Sequence, residues 1–248
     1  QRGQPEDRDR ALAILAELRE TFPDDPALMT IWAIEKVLGE TTTEALTSAQ
    51  EILQEAVRRN PRYTRAWTTL IEVLMRLGEV EVAAEEAVQA LQANPDEPAL
   101  LLARARAELM LQHAHTAFGL ARQVLRDNPD HLGGLMMSAN AALASTNPTL
   151  LEEAKTVFDN AIRRLPDSPE LLMLRAQVCY GLGRPREAIP ALQAYCQTES
   201  GRENVDALVT LVDLHRIAVD LAQAEKALVR AQELAPGHRR LERKRERP

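Results

Sequence analysis

The stretch TRAWTTLIEVLMRLGEVEVAAEEAVQALQANPDE, residues 64–97, decides the fold. Trp67, Leu70, Ile71 and Leu74 recur three and four residues apart, which places them on one face of an α-helix. Gly78 ends that helix, because glycine takes the left-handed conformation that closes a last turn without steric cost. A second helix is predicted from Val82 to Ala93, with Ala83, Ala87 and Ala90 along it. Pro95 stops it, since proline lacks the amide donor and its ring clashes with the preceding turn. Ala83 and Ala90 face the first helix, where only a methyl lets the two axes approach closely.

The same arrangement repeats along the chain. Asn60-Pro61, Asn94-Pro95 and Asn128-Pro129 are spaced 34 residues apart, with Pro23 and Pro166 near the same ruler and Pro236 further on. A fixed period of this length signals a stacked array of two-helix units. Six full units are read: 26–63, 64–97, 98–131, 132–168, 169–204 and 205–238. Residues 1–25 read as the second helix of a truncated unit, and residues 239–248 as a basic cap helix or tail. The chain opens without an initiating Met, so it is expected to be a piece of something longer. Pro190 falls inside a second helix and is expected to bend it. Gly133-Gly134 opens a first helix, read either as a loosened start or as a point of close backbone approach. Ser200-Gly201 stands where the fifth unit lacks its proline.

This pattern resembles the tetratricopeptide repeat. Trp67, Leu70, Ala83 and Pro95 match that family's signature, while Ile71, Leu74 and Ala87 replace its glycine, tyrosine and phenylalanine. The resemblance covers nearly the whole chain. It implies an all-α, right-handed solenoid of helical hairpins that serves as a protein-interaction scaffold rather than an enzyme.

Composition agrees with an all-helical reading. The chain is 45% hydrophobic but only 3% aromatic, so Ala and Leu supply the core. No run approaches the roughly 18 apolar residues of a membrane span. Net charge is −7, with a local +4 between Arg239 and Arg247 and −11 on the rest, which argues against nucleic acid as main partner. The basic segment reads as a wettable cap on the open end of the stack, with an anionic surface as the rival reading. Cys179 and Cys196 read as buried small hydrophobes. No Gly-x-Ser-x-Gly elbow or phosphate loop is present. His113 and His115 share a turn, but no further metal ligand stands near them in sequence, so no metal or cofactor is expected.

The resemblance also implies where a partner binds, because in that family the first helices line the concave face. Here that selects Thr68, Glu72, Met75 and Arg76; Leu102, Arg106, Leu109 and Met110; Met136, Met137, Asn140 and Leu143; Met173, Gln177 and Tyr180; and Asp206, Val209, Asp213 and Arg216. All six methionines lie on first helices, and methionine suits an adaptable apolar surface as well as a core gap. Met136 and Met173 are expected on the surface, in one groove with Leu102 and Tyr180, while Met110 and Met137 stay open between surface and core. The expected partner is a protein or peptide with an apolar or amphipathic segment, self-association being one form of it. A family clamp for free carboxylates uses Lys and Asn along this face, and no first helix from Thr64 onward carries a Lys. A rival reading takes the chain as a docking or regulatory segment of a larger enzyme, or of a bacterial secretion or exopolysaccharide assembly machine.

Overall fold

The computed structural model describes residues 5–39, 42–166 and 168–237. Among these residues every regular element is an α-helix, thirteen in all. The basic segment from Arg239 and the stretch Gln1–Gly3 lie outside the described residues. The chain divides into two compact units, residues 1–128 and 129–248.

The first unit holds α1 (Pro5–Thr21), α2 (Pro26–Gly39), α3 (Thr43–Arg59), α4 (Thr64–Leu77), α5 (Val80–Ala93), α6 (Pro98–Met110) and α7 (Ala114–Asp127). Helices pair as α2 with α3, α4 with α5 and α6 with α7, and α2, α4 and α6 also touch in turn. Gly78 sits at φ 83°, and its amide reaches the carbonyls of Leu74 and Met75. The helix after it starts at Val80, two residues earlier than the spacing suggested, because the Glu79 carbonyl already accepts from Ala83 at 2.9 Å.

Prolines set where second helices stop. Asn60, Asn94 and Asn128 leave the helix at φ −137°, −136° and −133°, each just before its proline. A following proline disfavours the helical region for the residue before it. Leu165 before Pro166 and Ala235 before Pro236 share this geometry, at φ −129° and −146°. The Pro61 carbonyl left over by this exit accepts twice, from Trp67 Nε1 at 2.8 Å and from Asn94 Nδ2 at 3.0 Å. One carbonyl thus ties successive hairpins together.

The second unit holds α8 (Leu132–Ser145), α9 (Pro148–Arg164), α10 (Pro169–Gly181), α11 (Pro185–Tyr195), α12 (Val205–Ile217) and α13 (Leu221–Leu234). Its pairs are α8 with α9, α10 with α11 and α12 with α13. Here Arg164 makes the tie, donating to Asp130 at 2.8 Å and to the Pro129 carbonyl at 3.2 Å. The helical backbone runs through Pro190, but α11 has only 11 residues. Where this hairpin lacks a closing proline, Gly201 is buried beneath the Tyr195 carbonyl. A Cβ there would meet that oxygen at 1.9 Å, so the turn closes only around glycine.

The cores are built from alanine crossings filled out by leucine. Ala49, Ala56, Ala83, Ala87 and Ala90 in the first unit, and Ala139, Ala154, Ala161 and Ala188 in the second, are all 0% exposed. Leu53, Leu70, Phe158 and Leu192 fill the space between them. Trp67 is 6% exposed, buried between α4 and its neighbours as the pattern required. Ala93, at the end of α5, is half-buried and lines a cleft between α3 and α5. We expect Ala83→Leu and Ala224→Leu each to lose on the order of 1–3 kcal/mol by overpacking a helix crossing. Ala222→Leu, at an exposed position of α13, should cost far less. Equal urea midpoints for all three variants would contradict this packing.

Candidate functional site

The outward residues of the first helices form the candidate surface. In the first unit, α4 exposes Glu72 and Arg76, and Thr68 is half-buried. On α6, Arg106 is exposed, Leu102 and Leu109 are half-buried, and Met110 is 50% exposed. These two helices are neighbours, so their residues share one stretch of surface. In the second unit, α8 exposes Met136 at 46% together with Asn140, while Leu143 is half-buried. The neighbouring α10 adds half-buried Met173, exposed Gln177 and Tyr180 at 49%. On α12, Asp206 is exposed and Asp213 and Arg216 are half-buried.

Three residues of the expected groove turn inward. Met75, Met137 and Val209 are buried. Consecutive helical positions are about 100° apart, so of the pair Met136 and Met137 only one faces out. Met75 and Arg76 divide in the same way. Val209 belongs to the core shared with Ala224, Ala227 and Ala231 of α13. Gly181 lets the end of α10 lie close to α8; a Cβ there would meet the Leu143 side chain at 2.9 Å.

An ionic network holds α10 in place. Asp159 of α9 receives Lys155 at 2.8 Å and Arg175 of α10 at 2.7 Å. Lys155 also reaches Glu187 of α11 at 3.2 Å, and Arg175 donates to the Glu187 backbone carbonyl at 2.9 Å. Arg184 pairs with Glu152 and extends the network from the start of α11 back to α9. Burial by itself pushes the Asp159 carboxyl up, but the hydrogen bonds from Lys155 and Arg175 outweigh it and hold the group below its ordinary range. Arg175 lies between Met173 and Gln177 in sequence, so the network fixes the helix that presents both. Sequence reading missed it because its members come from three helices. The available signal was Lys155 and Asp159 four apart on one helix face, a spacing that favours ion pairs.

The cysteines play no part in this surface. Both are free and buried. Burial pushes the Cys196 thiol up to about 11, against a smaller opposing pull from Arg230, so it stays protonated and inert. His113 is exposed and bonds Glu108 at 2.9 Å, and among the described residues no cluster of metal-ligating side chains forms. Among the described residues no helix is long and apolar enough to cross a membrane.

Residues 43–107 and 136–204 match family models described as tetratricopeptide repeat. A comparison with curated protein sequences finds no match. Solved structures of the same fold include a thermophilic TPR protein of Thermus thermophilus, with 25% identity and a TM-score of 0.52 over 72% of this chain and 94% of that one. PilW, a type IV pilus biogenesis factor, shows 17% identity and a TM-score of 0.66 over 88% of this chain and 97% of its own. YrrB, described as a TPR protein with an unusual peptide-binding site, shows 14% identity and a TM-score of 0.58 over 78% of this chain and 97% of its own.

The network makes a prediction about pH. A carboxyl whose native value is depressed stabilises the fold above its unfolded value, 3.8 for Asp159, and loses that contribution as pH falls through the native one. The difference in urea midpoint between wild type and Asp159→Asn should therefore be full at neutral pH and shrink below about pH 4. A difference independent of pH would contradict the assignment.

Proposed function

We propose that this chain, a member of the tetratricopeptide repeat family, binds an apolar or amphipathic segment of a partner protein on the outward faces of its first helices. Tetratricopeptide repeats point to a protein-protein interaction scaffold, and binding rather than catalysis is the role taken for this chain. The hairpins at 26–63, 64–97, 98–131, 132–168, 169–204 and 205–238 act as its units.

The observation that carries this reading is the set of large apolar side chains left open on first helices: Met110 at 50%, Met136 at 46% and Tyr180 at 49%. Met136 and Tyr180 stand on the neighbouring helices α8 and α10, and apolar side chains clustered in this way mark interaction sites more often than scattered ones do. Methionine's flexible thioether adapts to a partner's shape, and tyrosine offers contact area with a polar tip. In the second unit Leu143 and Met173 extend the apolar patch, with Asn140 and Gln177 as its polar rim. In the first unit Leu102 and Leu109 flank Met110, and Glu72, Arg76 and Arg106 supply charge for register. Asp206, Asp213 and Arg216 play the same part on α12. An amphipathic helix laid across such ridges, or an extended peptide, makes contacts of this kind.

The test is capture of partners by wild type and by Met136→Glu, followed by mass spectrometry, with a thermal melt of each protein. We expect Met136→Glu to lose the captured partner and to keep its melting temperature. A carboxylate forced into a core would instead cost several kcal/mol. A large drop in melting temperature, or undiminished capture, would overturn the reading.

A further inference from the structure

A cleft of about 610 Å³ opens between the second helices α3 and α5, with Trp67 of α4 in its floor. Its size falls within the roughly 300–1,000 Å³ of ligand pockets. None of the first-helix residues assigned above to partner binding lines it, so it is a separate surface. Its floor is apolar: Trp67 is 6% and Val57 5% exposed. The indole N–H is already given to the Pro61 carbonyl at 2.8 Å, so the ring offers only its hydrocarbon surface.

The wall carries a carboxylate that no cation among the described residues answers. Glu86 lines the cleft and is half-buried. Burial, and then the like charge of Glu85, hold its carboxyl above the ordinary range, with no opposing pull from a cation. Arg58 also lines the cleft but is turned to Glu55 at 2.6 Å. Helix α5 carries Glu81, Glu85 and Glu86 and no Lys or Arg. Gln54, Gln89 and Gln92 add amide carbonyls that accept from an N–H donor. A partly desolvated carboxylate with a like charge beside it and no cation paired to it favours a cation brought from outside.

We propose that this cleft takes a lysine or arginine side chain from a basic peptide segment of a protein partner, with the aliphatic stem on Val57 and Trp67 and the cationic head on Glu86. Lys and Arg have this two-part character, an apolar stem ending in a charge. The occupant follows from charge complementarity and does not depend on the first-helix surface.

The experiment follows Trp67 emission in a Trp32→Phe background while acetylated, amidated pentalysine is added. A saturable change in emission is expected. Glu86→Gln should weaken it by about 10-fold or more, as loss of one partner of a charge pair does. Glu81→Gln removes the same charge from an exposed position outside the cleft and should stay within about 2-fold of the parent. Glu86→Gln should melt no lower than its parent, since an unanswered, half-buried charge is removed. No saturable response, or equal weakening in the Glu86 and Glu81 variants, would overturn the proposal. A change in emission on raising protein concentration without peptide would also overturn it, in favour of a second copy as occupant.

Discussion

Everything in this fold depends on where its second helices are made to stop. Proline disfavours helical backbone for the residue before it, and Asn60, Asn94, Asn128, Leu165 and Ala235 all leave their helices this way. A fixed stopping point gives the next first helix a fixed start. It also frees a carbonyl at a fixed place. Pro61 uses that carbonyl to hold both Trp67 and Asn94, and Pro129 uses its own to receive Arg164. In the first unit Arg59 reaches back to Asp24 at 2.9 Å in the same manner. Such exposed pairs contribute little stability singly. Their value is positional, because each joins the end of one hairpin to the turn that closed the previous one.

Once spacing is set, alanine decides how closely the helices lie. The fully buried alanines admit close crossings, and leucine fills what remains. This leaves the larger flexible side chains free on the first helices. Met136 and Met137 show the division within one helix: one is in the core, and its neighbour stands half out in solvent. The ionic network around Asp159 ties α10, which carries Met173 and Tyr180, to α9. Rigid support under an adaptable surface suits a binding module, since ordering costs at the scaffold are met before the partner arrives.

The helices and their ends were legible because proline and glycine act locally. Gly78 and the Asn-Pro pairs announce their backbone geometry in two residues. The start of α5 was misplaced by two residues because the turn after Gly78 needs only Glu79. The candidate surface was legible to the helix but not to the residue. The family resemblance selects Met75, Met137 and Val209 along with their neighbours on the first helices, and packing against adjoining helices buries all three. Long-range features were not legible. The ties at Pro61 and Pro129 join residues more than thirty apart, and the α3–α5 cleft draws on residues from 54 to 93. Their ingredients, such as an Arg or Asn closing one helix and a Pro closing the previous one, recur with the period. Period alone does not say which of them bond.

Met75 and Met137 are buried in the core while Met110 and Met136 stand exposed, and methyl-labelled methionine tests directly whether the exposed set meets a partner. In carbon-13 methyl spectra recorded before and after adding a captured partner, the Met110, Met136 and Met173 signals should move while Met75 and Met137 stay in place. Movement confined to Met75 and Met137, with Met136 unmoved, would contradict the assignment of the binding face.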